Sequence, residues 1–419
     1  MKRLYISALA ALICIMSCDK EEPVEIGGKT VEPGGTIEMA LEVGETYSFR
    51  DDIENFSDYT WTSSDESVAL FHEYANVHAV SGGKATLKAS KDDKEFSILL
   101  TVNSIEHGDI YLNFEYDESF YYYVNQKLQP DHFELLTSDT QGNLYCGTAK
   151  GNGLTLYRNG TKVADGMPLK GRNPKLYVKD GKAYVLTNSQ DMTESYCYVM
   201  GTDGKWRAID VHPGQNKWMT GQGIIHSANE DSAGNIVIWG NMRNGFLAYP
   251  HVWVVDKDDN ISFEHDDNMP SGEYGELDAE DNRYLVTDIF GYNIWKGSEI
   301  KYKLPNKAEI TNWGKKFRMM FRGDDLWFAQ SEIIKEDEDW TAKDYALTVY
   351  RNGKLIQSNA ICKGIAGEFS GIDMCITPSG DIYTIGTDCS VVSVWKNGTL
   401  IVSLPYINCN NPSLAVIDK

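Results

Sequence analysis

Aromatic side chains accompanied by carboxylates and amides recur in the segments that separate the strand-like runs of this sequence. The residues predicted to contact a ligand are Trp218, Trp313, Trp340, Tyr249, Tyr274 and His212. Aromatic rings stack on the apolar faces of sugars, while nearby carboxylates and amides can bond to the sugar hydroxyl groups. This combination predicts a site for a glycan or for a protein ligand.

Two alternatives stand beside this prediction. Each of these aromatics could simply pack its own connecting segment. Carboxylates in the same segments, such as Asp191, Glu194, Glu273 and Glu368, could form the acid–base pair of a glycoside hydrolase or polysaccharide lyase. Because no catalytic signature fixes a reaction, we expect a binding protein without a cofactor and keep the enzyme as the alternative.

Cysteine and acidic residues do not form a recognisable metal motif. The cysteines of the main part of the chain, none of them closely spaced, are Cys146, Cys197, Cys362, Cys375, Cys389 and Cys409. We expect most to be free thiols and leave pairing among the last four open. The segment Asp256–Asn260 resembles a calcium loop, but Ile261 replaces the required glycine and the twelfth position lacks a glutamate. A hairpin turn is therefore predicted there, and no metal site.

The N-terminal residues predict an export signal. Lys2 and Arg3 precede an apolar run over residues 4–16 that is too short to cross a bilayer as a helix. The run ends at Ser17-Cys18 and resembles the lipobox of bacterial lipoproteins, which implies a signal peptide over residues 1–17 and a lipid on Cys18. Lipid would then be the chain's only attachment to a membrane.

An acidic tether follows over residues 18–27. It resembles the short export tag that sends some Gram-negative lipoproteins to the outer face of the outer membrane, and a plain linker is the alternative. The resemblance implies an outer-membrane protein that faces the cell exterior.

Charge excludes one class of partner. The 419 residues include 61 acidic and 39 basic side chains, for a formal net charge of −22. Nucleic acid requires a basic face, so no nucleic-acid partner is expected. We expect a monomer.

Short strands separated by turns predict a β-sandwich over residues 28–105. Trp61-Thr62-Ser63-Ser64-Asp65 and Gly83-Lys84-Ala85-Thr86-Leu87 resemble motifs of the bacterial immunoglobulin-like group 2 family (Big2). This resemblance implies an immunoglobulin-like spacer or adhesive module without catalytic residues. Trp61 is expected in its core rather than at a ligand.

A repeated unit occupies residues 107–419. Gly-Asp-Ile-Tyr at 108–111 and 380–383 represents the first element, and Tyr-Arg-Asn-Gly at 157–160 and 350–353 the second. Seven such pairs predict a seven-bladed β-propeller of an unassigned repeat family, with six blades as the alternative. Residues 412–418 copy the strand at 174–180, so the C-terminal strand should complete the first blade and close the ring.

The connections differ between the two faces of this expected ring. Turns between the first and second and the third and fourth strands are short, whereas the remaining connections are long and variable. Binding usually resides on variable loops carried by a rigid scaffold. The whole chain is thus predicted to be all-β, with its ligand on the loop-rich face.

Overall fold

Strands account for nearly all regular structure in the computed structural model. It describes residues 23–418, apart from 54, 73–75, 93, 118, 151–152, 180, 190–193, 201–204, 212–222, 245–246, 259, 265–273, 288–291, 306–316, 337–342, 366–370, 388–390 and 406–408. Within these residues the sole helix is a three-residue 3-10 turn, Phe56–Asp58. None of the described helical structure has the length and apolar composition of a membrane span.

Residues 24–103 form a β module, called here the N-terminal module. Its strands are β1 (Val24–Ile26), β2 (Lys29–Val31), β3 (Thr36–Glu42), β4 (Thr46–Ser48), β5 (Thr60–Ser63), β6 (Ala69–His72), β7 (Asn76–Ala79), β8 (Gly83–Lys91) and β9 (Lys94–Asn103). They form a β1-β2 pair, a four-stranded sheet in the order β3-β9-β8-β5 and a three-stranded sheet in the order β4-β7-β6. The alternating apolar residues of the two larger sheets face a shared core.

Aromatic residues fill the centre of this module. Phe49 is fully buried, and its ring stacks on Trp61 with 4.6 Å between centroids. Trp61 also donates its indole N–H to the carbonyl of Phe56 at 3.3 Å. Trp61, which the sequence places in the core, is half-buried and packs against the buried core residues.

The rest of the described chain forms seven four-stranded antiparallel sheets, six of which are meanders of four consecutive strands. Sheet 1 combines β10 (Asp109–Tyr116), β11 (Ser119–Val124) and β12 (Lys127–Leu128) with the C-terminal strand β37 (Asn410–Ile417). Sheets 2 to 4 contain β13 (Leu135–Ser138), β14 (Leu144–Lys150), β15 (Gly153–Arg158), β16 (Thr161–Pro168); β17 (Arg172–Lys179), β18 (Lys182–Asn188), β19 (Ser195–Met200), β20 (Trp206–Val211); and β21 (Gly223–Glu230), β22 (Ile236–Asn244), β23 (Leu247–Val255), β24 (Ile261–Glu264). Sheets 5 to 7 contain β25 (Tyr274–Leu277), β26 (Arg283–Thr287), β27 (Asn293–Lys296), β28 (Glu299–Lys303); β29 (Phe317–Arg322), β30 (Asp325–Glu336), β31 (Lys343–Arg351), β32 (Lys354–Ile365); and β33 (Gly371–Ile376), β34 (Ile382–Thr387), β35 (Val392–Lys396), β36 (Thr399–Leu404).

These sheets form a propeller-like series that closes on itself. The first strands β13, β17, β21, β25, β29 and β33 contact one another in chain order, and β37 contacts both β33 and β13. Strand β37 pairs antiparallel with β10, from Asp109 opposite Ile417 to Glu115 opposite Asn410. The pairing expected for the C-terminal strand is therefore present, and it supplies the inner strand of sheet 1.

One hydrogen-bonded motif explains the repeats in the sequence. In sheet 7, Asn397 has a positive φ of 49° in the turn between the third and fourth strands. Its side-chain oxygen accepts the N–H of Ile382 at 2.8 Å, and its amide donates to Asp381 at 2.7 Å. Residues in the equivalent position of sheets 1, 2 and 6 make the same bond to the second strand: Asn125, Asn159 and Asn352. The two repeated elements are thus halves of one structural unit.

Several connections expected to be long loops are extended hairpins instead. The segment 241–250 lies mostly in strands β22 and β23, where Met242 pairs with Tyr249. The sequence also predicts loops over residues 331–344 and 358–370, and strands β30, β31 and β32 extend into both segments. The sequence does not predict the full length of these strands, because polar residues interrupt the alternating pattern by which a strand is recognised.

The N-terminal module contacts the outer strand of sheet 7. His78 is buried there, and its Nε2 lies 3.1 Å from the carbonyl oxygen and 3.0 Å from the hydroxyl of Ser403. Nδ1 lies 2.9 Å from the hydroxyl of Thr46. Burial lowers the pKa of His78, which favours the neutral ring at this contact.

Candidate functional site

Most residues predicted to contact a ligand lie outside the described part of the chain. This holds for Trp218, Trp313, Trp340 and His212, and also for the expected lipid anchor, Cys18. Tyr249 lies in strand β23 and is described through its backbone only.

Tyr274 is the exception, and its place differs from the expected loop. It is the first residue of strand β25 and is only 7% exposed. The side chain points into the channel between the first strands, where its hydroxyl donates to Glu276 at 2.9 Å. Tyr274 thus belongs to a buried polar cluster.

This cluster surrounds a cavity at the centre of the seven sheets, called here the axial cavity. The cavity has a volume of about 60 Å³ and is lined by residues from every sheet. Typical small-molecule sites measure ~300–1,000 Å³, so the axial cavity can hold water but not a sugar ring. The charged and tyrosine residues that line it are Asp139, Lys179, Glu276, Arg318, Tyr177 and Tyr274. Together with Asp373, which lies beside Arg318, they are called here the axial cluster.

Arg318 connects three sheets within this cluster. Its Nε lies 3.5 Å from Oδ1 of Asp373 in sheet 7, and its side chain is 15% exposed. The guanidinium carbon lies 5.9 Å from the ring centroid of Tyr177 in sheet 3. A buried guanidinium needs such partners, because an isolated charge in this environment would be strongly unfavourable.

Asp373 connects sheet 7 to the closing strand. Its Oδ1 accepts the N–H of Met374 at 2.9 Å, and its Oδ2 accepts the N–H of Leu414 in β37 at 3.1 Å. Both carboxylate oxygens are therefore engaged by the backbone before Arg318 adds its charge.

Glu276 is a buried acid of the cluster. Burial raises its pKa, while the positive charges of Lys179 and Arg318 act in the opposite direction. Lys179 Nζ lies 3.9 Å from Glu276 Oε2 and donates a hydrogen bond to the carbonyl of Leu277 at 2.9 Å. The pKa of Tyr274 is raised well above its ordinary value by burial and then by Glu276, so the tyrosine is protonated and donates.

The cluster combines groups of both charges. Lys179 and Arg318 are its cations, and Asp139, Glu276 and Asp373 are its carboxyl residues, of which Glu276 has a pKa raised by burial. Buried ion pairs of this kind fix a particular arrangement of elements and are costly to break. Chemically, the site can hold a proton on Glu276 and fix the positions of sheets 3, 5, 6 and 7 relative to one another.

The segment resembling a calcium loop forms a turn closed by its own donors. Asp256 Oδ1 accepts the N–H groups of Asp258 and Asn260, each at 2.8 Å, and Oδ2 accepts the Asn260 amide at 2.8 Å. These hydrogen bonds lower the pKa of Asp256, and the bond from the Asn260 side chain has the largest effect. Among the residues that the structure describes, three or more metal-ligating side chains do not come together anywhere.

The cysteines that can be described are reduced and buried. They are Cys146, Cys197, Cys375 and Cys409. Burial raises the pKa of Cys146 to about 11 and that of Cys197 to about 12, so neither is a reactive thiolate.

Sequence reasoning missed the axial cluster because its residues lie inside strands rather than in loops. Arg318 follows Phe317 in β29, and Asp373 follows Ile372 in β33. A charged residue inside an otherwise apolar first strand was the available signal. It becomes informative only when the strand is known to be the innermost of its sheet.

Comparisons with known proteins add little to this description. No protein-family model matches the sequence, and no curated protein matches it either. Among solved structures, a quinonprotein alcohol dehydrogenase-like protein from Bacteroides thetaiotaomicron is 10% identical, with 90% of this chain and 96% of that one covered and a TM-score of 0.38. A periplasmic gluconolactonase from Pseudomonas aeruginosa is 12% identical, with 74% and 100% covered and a TM-score of 0.41.

A third similar structure is a GH43 endo-arabinanase from Bacillus licheniformis. It is 12% identical, with 55% of this chain and 98% of that one covered and a TM-score of 0.29. Similarities of this size say nothing about activity, substrate or cofactor. The propeller-like fold follows from the strand pairing of the chain itself.

Proposed function

We propose that this chain is a lipid-anchored outer-membrane protein that binds a glycan or protein ligand on the loop-rich face of a seven-bladed β-propeller. Residues 28–105 would form an immunoglobulin-like group 2 spacer between the lipid on Cys18 and the propeller. Seven consecutive four-stranded sheets and the closing strand β37 support the blade count. The two packed sheets of the N-terminal module support the sandwich.

The hydrogen bonding of the axial carboxyl groups and the small volume of the cavity favour binding over catalysis. A glycosidase needs two carboxyl groups facing a substrate-sized cleft, about 5–10 Å apart. Here Asp373 is bonded to two backbone N–H groups, and Glu276 is bonded to Tyr274 beside a cavity of about 60 Å³. The axis therefore acts as a structural core, and the ligand would contact the surface above it.

A glycoside hydrolase or polysaccharide lyase is the second candidate. The raised pKa of Glu276 next to the Tyr274 hydroxyl is the specific observation in its favour, because a protonated carboxyl can act as a general acid.

The tryptophan residues of the expected ligand face provide the test of binding. Replacing Trp218, Trp313 or Trp340 with Ala should weaken binding to a glycan selected on an array by about 1–3 kcal/mol per residue. The matched Trp→Phe variants, which keep a stacking face, should lose less. Binding and thermal unfolding would be measured on each protein. Parallel losses of affinity and of stability in all three Ala variants would show that these residues pack the fold.

Anchoring has its own test. Cys18→Ala should release the protein from the membrane fraction and abolish metabolic labelling with fatty acid, because the sulfur that accepts the lipid is gone. Cys14→Ala, which changes a cysteine inside the expected signal peptide, is the control and should leave labelling intact. Unchanged labelling of Cys18→Ala would rule out the proposed anchor.

A further inference from the structure

The outer strand of sheet 7 shows how the exposed edge of one of the seven sheets can bind another β element. The N–H of Ser403 in β36 donates to the carbonyl of Val80 in the N-terminal module at 2.9 Å. Val80 also shares a core cluster with Ile401, and both side chains are fully buried. His78 bonds to Ser403 as described above. The module thus covers this edge by a backbone hydrogen bond and an apolar contact.

The outer strand of sheet 6 has the same register. Ile356 and Ser358 of β32 occupy the positions that Ile401 and Ser403 occupy in β36. The pairs that fix this equivalence are Tyr350 with Leu355 and Thr348 with Ser358 in sheet 6, and Trp395 with Leu400 and Ser393 with Ser403 in sheet 7. Both outer strands also have their irregularity at the same place, one residue after the leucine.

The two edges differ in what covers them. Ser403 is 3% exposed beneath the module, whereas Ser358 is exposed. Ile356 and its neighbour Leu355 are 50% and 55% exposed. An exposed strand edge with adjacent large apolar side chains is a template for pairing with another strand.

The outer strands of sheets 1, 2 and 5 carry protection that residues 355–358 of sheet 6 lack. In sheet 2, Lys162 and Asp165 occupy the leucine and serine positions and form an ion pair at 3.0 Å. Lys303 occupies the serine position in sheet 5. In sheet 1 the outer strand has only two residues, and Pro130 follows shortly after. Charges, short strands and proline are the usual means of blocking edge pairing.

We propose that the edge at Leu355–Ser358 is a second interaction surface, which binds the exposed strand edge of a partner protein by antiparallel strand addition. The partner offers a backbone carbonyl to the N–H of Ser358 and an apolar β-branched residue to Ile356, as the module offers Val80 to sheet 7. This surface is independent of the ligand face proposed above.

A peptide with the sequence of residues 76–83, which contains His78 and Val80, is a suitable probe. Fluorescence anisotropy would measure its binding to the whole chain, whose sheet 7 edge is already occupied. We expect saturable binding at peptide concentrations up to ~1 mM, weakened at least tenfold by Ser358→Pro, which removes the outward N–H. Ile356→Lys changes an exposed side chain without disturbing the fold and should weaken binding to a similar extent.

Lys303→Pro is the matched control, because it places proline at the equivalent position of sheet 5. It should leave peptide binding unchanged. Thermal unfolding of each variant would separate loss of binding from loss of folding. Absence of saturable binding, or binding that Ile356→Lys leaves intact, would overturn the proposal, as would equal weakening by Lys303→Pro.

Discussion

Deleting residues 410–419 should lower the free energy of unfolding by more than the ~2–5 kcal/mol that the loss of a single buried leucine costs. The deletion removes strand β37, in which Leu414, Ala415 and Val416 are buried, and exposes the pairing edge of β10. It also takes away the N–H of Leu414 that bonds to Asp373. Denaturant unfolding of the full and truncated chains would measure the difference.

Point variants in β37 distinguish loss of ring closure from the effect of shortening the chain. Leu414→Asp places a charge in the buried part of β37 and should reproduce most of the loss. Ser413→Ala changes a partly buried hydroxyl in the same strand and should have an effect of about 0.5 kcal/mol or less. A truncated protein that unfolds like the full chain would contradict the closed ring and favour six blades.

Replacing Arg318 with Met should destabilise the protein by about 3–5 kcal/mol, the usual cost of removing one partner from a buried ion pair. Asp373 would then lose the cation beside it, and Glu276 would keep only Lys179 as a nearby positive charge. Lys301→Met is the control, since it removes an exposed cation from the rim of sheet 5. Equal stability of Arg318→Met and the parent protein would show that the cluster does not hold the sheets together.

The pH dependence of this deficit identifies its cause. Burial already raises the pKa of Glu276, and loss of Arg318 removes one of the charges that oppose the increase. A carboxyl whose pKa is higher in the folded than in the unfolded state binds more protons when folded, so its contribution to stability falls as pH rises. The deficit of Arg318→Met should therefore be smaller at pH 5 than at pH 8. A deficit that is constant between these values would point to lost packing instead of uncompensated charge.

The sequence predicted the strand architecture well because the repeats encode hydrogen bonds. The recurring Asn-Gly turns supply the positive φ of residues such as Asn352 and Asn397 and the side-chain oxygens that fix the next strand. Similarity between residues 412–418 and 174–180 predicted the inner position of β37, because β17 is itself an inner strand. Blade number, the immunoglobulin-like assignment and the domain boundaries stay predictions.

The site was less accessible to sequence reasoning. Polar residues interrupt the alternating pattern of several strands, so the sequence predicts loops at Tyr249 and Tyr274 although both residues lie in strands. The axial cluster forms only when strands far apart in the sequence, such as β17 and β29, meet at the axis. No local sequence pattern predicts this contact, because Tyr177 lies in sheet 3 and Arg318 lies in sheet 6, far apart in the sequence.

Binding without turnover is the central claim, and one measurement tests it directly. A secreted form lacking residues 1–22 would be incubated with a panel of bacterial and host glycans, and retained and released molecules would be identified by mass spectrometry. The Glu276→Gln variant would be treated in parallel. The proposed function predicts that every glycan that the protein retains is recovered intact from both proteins. Release of shortened or unsaturated sugars by the parent protein, lost in Glu276→Gln, would contradict it and identify the chain as an enzyme.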